Sequence, residues 1–355
     1  MTLDIAQRRL VAQGLLTPAL QHAEDVVRRL CAVQAQDYPN AKWALARRTV
    51  GLTDVDVERE IASGTILRTH VLRPTWHFVL PEDVRWLLDL TAARVSQAMT
   101  TYNRRLELDA KVFRKTNSVI ARALRDSQHL TRNELRTALE RARVDVSSVQ
   151  RAAHIVTQAE LDRVIISGAH RGTKLTYALF DSRVPPSPAR DREDALRELA
   201  WRYFSTRGPA TLHDFAWWSG LTVAHAQRGV EMNERLLMRE TMDDRAYWSD
   251  ASIAPPRRWK GVAHLLPNYD ELFVGFKDRS AFGRRLRLRN TDARIDALMG
   301  HMAFVDGQIV GSWRRSSRDR GELDVELLTA LTGSEQRLLT AEQARFRKFA
   351  GAGAW

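Results

Sequence analysis

The chain of 355 residues has a single cysteine, Cys31. That excludes an intramolecular disulfide and a cysteine-based zinc site. No apolar run approaches the roughly 18 residues that a membrane span needs. The opening MTLDIAQRRL lacks the basic, apolar and small-residue order of a secretory signal. A reducing cytoplasm is the expected compartment. Negative charge is in short supply. Fifty-five Lys and Arg face 43 Asp and Glu, for a net charge of +12 and a pI near 10.4. The cations are mostly Arg. A GC-rich genome accounts for Arg over Lys but not for the net excess, which points to a polyanion, with nucleic acid first. The length allows about two to four modules.

A local order then repeats. Val26, Val27, Leu30 and Val33 recur at helical spacing in HAEDVVRRLCAVQ. Asp37 and Pro39 open a second helix, since Pro is tolerated in a first turn. Thr53 opens a third, with Asp56 as capping-box partner and Gly64 past its end. TILRTHV and TWHFVL follow as a hairpin around Arg73-Pro74. The second pass places helices over 117–126, from Thr131 with Glu134 at the capping-box position, and over 147–161. RVIISGAH and TKLTYALF then turn at Arg171-Gly172. The third pass runs from a helix capped by Asp191, with Leu196, Leu199, Ala200, Tyr203 and Phe204 on one stripe. HDFAWWSG and a helix opened by Thr222 follow. RLLMRETMDDRAYWSD then turns at Asp243-Asp244.

Helix, helix, helix and two-stranded wing is the order of a winged helix-turn-helix. Three instances spaced about 70 to 90 residues apart constrain one another. In each, the third helix is the natural groove reader. VPPSPAR (184–190) and Ala254-Pro255-Pro256 read as linkers. Beyond them Asp306-Gly307 sits between two strands, ELDVELLTAL adds a strand, and 334–349 reads as a closing helix with Gly351 near its C-cap. The expected domains are therefore 1–110, 111–183, 184–253 and a β-rich 257–355.

Lys42, Arg47, Arg48, Arg73, Arg171 and Lys174 are candidate phosphate contacts, and as a set they imply salt-dependent binding. The runs RRLRLR (284–289) and RRSSRDR (314–320) extend the basic surface or are simply exposed. His70 and His77 lack metal-ligand spacing and fit structural or phosphate roles. Trp217 and Trp218 read as core. Gln34 and Gln36 are two uncharged amides at an expected helix end, and a polar tripeptide there is by itself unremarkable. Residues two apart do not share a helix face, so the helix breaks near them or one amide points inward. Two readings of Asp37 stand. It is a base, or it is the N-cap of the 38–47 helix, which its place before Tyr38-Pro39 favours.

AVQAQDYPNAKWALARR, RTHVLRPTWHFV, HDFAWWSGL, LLPNYDELFVGFKDR and VDGQIVGSWRR together resemble the bacterial winged-helix DNA glycosylases that include the AlkZ and YcaQ groups. The likeness covers nearly the whole chain. It implies a mainly α fold with β wings (α+β): three tandem winged helix-turn-helix motifs plus a C-terminal β-rich segment, forming a C-shaped basic DNA cleft. The AlkZ-like branch carries a Gln-apolar-Gln catalytic motif, where the YcaQ-like branch has Asp for the second Gln. Gln34-Ala35-Gln36 sides with the former and implies that Gln34 and Gln36 are catalytic. Ala35 is the smallest apolar residue at the middle position. The family's cleft hairpin falls on His170 to Lys174, adding His170 to the DNA contacts.

The implied activity is that of a monofunctional glycosylase that excises bulky N7-alkylpurines or unhooks interstrand crosslinks in duplex DNA. Several members of the family protect antibiotic producers from their own genotoxin. No cofactor, metal or membrane is expected, and the chain is expected to be a monomer in the nucleoid-bearing cytoplasm. The rival is a winged-helix transcription regulator without catalysis. Such regulators usually bring a dimerisation element, and no heptad run is present.

Overall fold

The computed structural model describes residues 4–126, 129–172, 174–253, 259–287, 300–316 and 322–351. Helices dominate, joined by small antiparallel sheets. The chain divides into two compact units. One holds Met1–Glu58, Arg197–Trp218 and Thr222–Trp355; the other holds Arg59–Leu196 and Ser219–Leu221.

In the first unit, helices Ala23–Leu30, Tyr38–Ala46, Leu212–Ser219 and Val223–Glu231 appear where capping residues and periodicity place them. Thr211 and Thr222 each accept from the backbone N–H three residues on. Pro39 sits in the first turn of its helix. The first helix departs from expectation. It stops at Leu30, and Val33 belongs instead to the two-residue strand Val33–Gln34. Cys31 takes a positive φ of 68°, which ends the helical path three residues before the glutamines.

The strands Leu237–Met242 and Arg245–Asp250 pair antiparallel across Asp243-Asp244, both at positive φ. That is the two-residue hairpin geometry. A four-stranded antiparallel sheet carries the C-terminal half. Its order is Leu323–Leu327, Gln308–Arg315, Met302–Val305 and Ala263–Leu266. Asp306-Gly307 makes the expected turn, with φ of 49° and 78°. The closing helix spans Gly333–Ala350.

Aromatic clusters fill this unit. Tyr203, Phe204, Phe215 and Trp218 are wholly buried. Trp43 meets Phe346 edge-on at 5.2 Å, and its indole N–H donates to the Leu265 carbonyl at 2.6 Å. Truncating a buried indole of this kind costs about 3–5 kcal/mol. Trp218 is thus core, as expected. Trp217 is 43% exposed and donates from its indole to the Val274 carbonyl.

In the second unit, Leu67–His70 pairs antiparallel with Trp76–Val79 across the Arg73-Pro74 turn. Ile165–Ser167 pairs with Thr176–Leu179. Arg171 and Lys174 bridge each other at the tip, where Gly172 supplies φ of 61°. Helix Arg132–Arg141 starts at the Thr131–Glu134 capping box. Helix Val149–Leu161 starts from Ser148. Two features exceed the sequence reading. Helix Pro81–Arg105 runs for 25 residues with no counterpart in it. The next helix begins at Ala110, well before the expected residue 117. Val84, Leu87, Leu88, Val95 and Met99 bury the long helix's stripe, with polar Thr91 among them. Ile120, Leu124, Leu135, Leu139 and Ile155 form the core of the helices that follow.

The basic runs 284–289 and 314–320 and the Ala254-Pro255-Pro256 boundary lie wholly or partly outside the described residues.

Candidate active site

The Gln-Ala-Gln motif is set by groups distant in sequence. Arg207, wholly buried, donates from Nη1 to the Leu30 carbonyl at 3.0 Å and from Nη2 to the Ala32 carbonyl at 3.1 Å. It thereby satisfies carbonyls that the interrupted helix leaves open. Its Nη2 also donates to Glu271 Oε2 at 2.7 Å, and the Trp218 indole N–H donates to the same oxygen at 2.9 Å. The other oxygen, Glu271 Oε1, accepts the backbone N–H of Gln34 at 2.8 Å. A buried carboxylate held this way fixes the backbone at Gln34.

The amides therefore leave the helix entirely. The extended backbone covers Val33–Gln34, and the chain bends at Gln36. Gln34 is buried, Ala35 is fully buried and Gln36 is exposed.

Asp37 follows at the N-cap position, half-buried. Its side chain makes no bond to the helix backbone. Its Oδ2 instead accepts from Asn40 Nδ2 at 2.9 Å. Arg315 Nη2 donates to Asn40 Oδ1 at 2.7 Å. His301 Nε2 lies 3.5 Å from Asn40 Nδ2. The His301 Nδ1 accepts the backbone N–H of Asn268 at 3.0 Å, which leaves the ring proton on Nε2. Burial holds the His301 pKa below its ordinary value, against the pull of Asp37 and with the push of Arg315. The ring stacks on Trp313 at 4.3 Å. Asn40 and His301 had no functional reading in the sequence, and Arg315 was read only as part of a basic run. Asn40 and Arg315 do fall inside two of the five segments carrying the resemblance.

Three of the expected DNA contacts turn inward. Lys42 donates to Asp54 and Glu58. Arg47 pairs with Glu342. Arg48 binds Asp270 through two bonds of 2.9 Å and donates to Gln13 Oε1 at 2.7 Å. All three residues are 5% exposed or less. The expectation that they meet phosphate gives way to a structural role, since each cation is buried against a carboxylate. The pairs also leave a mark on acidity: burial raises the pKa of Asp54 despite Lys42.

The other expected contacts lie in the second unit. Arg171 and Lys174 are exposed at the hairpin tip, and His170 and Arg73 are half-buried. Arg171 donates to both oxygens of Glu134, at 2.7 and 3.1 Å. That pairing, with the Thr131 capping bonds, holds the Glu134 carboxyl down to about 2. Beside the tip is a cleft of 620 Å³ lined by Arg68, Trp76, Arg132, Arg171, Lys174 and Tyr177, among others. The Arg68 guanidinium lies 4.3 Å from the Trp76 ring centre, and that of Arg132 lies 5.6 Å from it. Sequence reasoning passed over these three, although RTHVLRPTWHFV contains two of them. His70 and His77 are buried, His70 on Glu160 and His77 on the Thr75 carbonyl, and both are structural.

Comparison with known proteins then adds the following. Residues 27–349 match the sequence model of a family described as DNA glycosylase AlkZ-like. A protein of Streptomyces sahachiroi named interstrand DNA cross-link repair glycosylase is 24% identical over 318 residues, covering 86% of this chain and 85% of that one. The solved structure of Streptomyces sahachiroi DNA glycosylase AlkZ superposes with a TM-score of 0.77 at 21% identity, covering 99% of this chain and 98% of the other. Likeness at that identity speaks to the fold.

Proposed function

The chain belongs to the AlkZ-like DNA glycosylase family, and from that premise we propose that it hydrolyses the N-glycosidic bond of cationic N7-alkylpurines in duplex DNA, bulky or crosslinking adducts included. The carrying observation is the backbone at Gln34, pinned by Glu271 and Arg207 beside an exposed Gln36. The relative named for interstrand crosslink repair supports the crosslink part of the reading.

The chemistry suits two amides. A purine alkylated at N7 already carries positive charge and leaves readily. Its departure needs little acid catalysis, and the bond breaks with oxocarbenium character. An amide is a poor base near neutral pH. It accepts from a water and donates to sugar or phosphate. Gln34 and Gln36 therefore hold a water at the anomeric carbon, and the gain is positioning and electrostatics. Neutral, undamaged bases fall outside that range.

The proposal keeps three winged helix-turn-helix motifs as the DNA-binding frame and a monomer acting on chromosomal DNA. Arg73, His170, Arg171 and Lys174 are its phosphate contacts, with Lys42, Arg47 and Arg48 withdrawn from that set. Family membership favours catalysis over a transcription regulator.

The test is duplex DNA carrying an N7-alkylguanine. The native protein is expected to leave abasic sites, and the Gln34→Ala, Gln36→Ala double variant to bind the duplex without releasing base. Binding without release by the native protein, across several cationic adducts, overturns the reading.

A further inference from the structure

The proposed mechanism leaves a proton without an acceptor. Water that adds to the anomeric carbon must lose one, and neither amide can take it. Four carboxylates are tied to the motif or its neighbours, and Glu58 is taken up by Lys42 and the Tyr38 hydroxyl. Asp270 and Glu271 are 1% and 0% exposed and committed to Arg48 and Arg207. Asp37, directly after Gln36, is half-buried and open to solvent.

A carboxylate at an N-cap ordinarily accepts a backbone N–H of the helix it starts. Asp37 does not. Its Oδ2 takes the Asn40 amide instead. Asn40 cannot turn over, because its oxygen accepts from Arg315 on the other side. A flipped amide would face the guanidinium with its own N–H groups and the carboxylate with its oxygen. The result is a carboxylate oriented by one neutral donor, with the cation one residue removed. Direct pairing with Arg315 would stabilise the anion and blunt it as a base. Orientation through an amide holds the carboxylate in place.

We propose that Asp37 is the general base of the excision reaction. This rests on the glycosylase reading above. As the water oxygen bonds to C1′, its proton passes to the Asp37 carboxylate. The C1′–N9 bond breaks, and its electron pair leaves with the purine, neutralising the N7 cation. Asn40 is a positioning residue for Asp37, and Arg315 for Asn40.

The experiment is single-turnover excision of N7-methylguanine from duplex DNA with protein in excess, alongside a direct measurement of duplex binding. Asp37→Asn is the informative variant. Its carboxamide oxygen still accepts from Asn40, so the local structure is retained while the base is removed. A general base contributes roughly 100- to 10,000-fold, and a labile cationic leaving group puts the expected loss at the low end, about 100-fold. Duplex affinity and the melting temperature are expected to stay at the native values, and Asp37→Glu to recover part of the rate. Asn40→Ala is expected to lower the rate about 10-fold. An Asp37→Asn protein that excises at the native rate overturns the assignment. So does a loss that appears wholly in duplex affinity. A native protein that releases no base overturns the glycosylase reading itself, and this assignment with it.

Discussion

Arg207 and Glu271 form an ion pair of 2.7 Å with neither side chain exposed to solvent. Each also reaches the motif backbone: Arg207 the carbonyls of Leu30 and Ala32, Glu271 the N–H of Gln34. One buried pair therefore holds both the end of a helix and the strand that carries Gln34.

Removing one partner strands the other charge. Arg207→Met is expected to destabilise the protein by about 3–5 kcal/mol. Urea unfolding followed by circular dichroism measures it. A loss under 1 kcal/mol, the scale of an exposed pair, would show that the pair does not hold the fold as described.

The two glutamines should separate in stability. Gln36 is exposed and Gln34 is 5% exposed. Gln36→Ala is expected to change stability by no more than about 0.5 kcal/mol while lowering the excision rate. A melting curve and a single-turnover assay on the same preparation test both halves. A destabilised Gln36→Ala would place that side chain in the packing.

Acid stability should depend on His264. Its ring is fully buried, donates from Nε2 to the Leu15 carbonyl, and has no partner at Nδ1 among the described residues. Burial first, and then Arg47, hold its pKa well below 6.5. The unfolded chain therefore binds a proton that the folded chain refuses. Stability is full above the ordinary histidine pKa of about 6.5 and falls as pH drops below it. His264→Gln is expected to flatten that part of the stability–pH curve. An unchanged slope between pH 6.5 and the acid limit (a range set by the unperturbed value) would refute the account.

Salt dependence should distinguish inward from outward cations. Arg171→Ala and Lys174→Ala are expected each to reduce the slope of log affinity against log salt by about 1. Arg48→Ala is expected to leave the slope unchanged and lower stability instead, since its charge is spent on Asp270. Slope measurements on duplex DNA over a salt series decide the point.

What the sequence made legible was local. The capping box at Thr131 and Glu134, the Asp243-Asp244 and Asp306-Gly307 turns and the Arg171-Gly172 tip all stand where residue chemistry put them. Each is decided within a few residues. The misses come from distant partners. Val33 fits a helical stripe, but Arg207 draws off the carbonyls that would continue the helix. Lys42, Arg47 and Arg48 look like a basic surface stripe until Asp54, Glu342 and Asp270 are folded against them. Asp37 looks like a cap because cap chemistry is local, while its actual partner, Asn40, is set by Arg315. At the candidate site, the glutamines could be named from their segment and its resemblance; what holds them could not.

The bond from Gln34 to Glu271 spans 237 positions. A chain leaving the ribosome presents its glutamines early, since synthesis runs from the N-terminus. It cannot give them their final backbone until Arg207 and then Glu271 have emerged. The motif is thus completed only well after it is made. A product ending before residue 271 would carry the Gln-Ala-Gln sequence without the carboxylate that fixes its backbone.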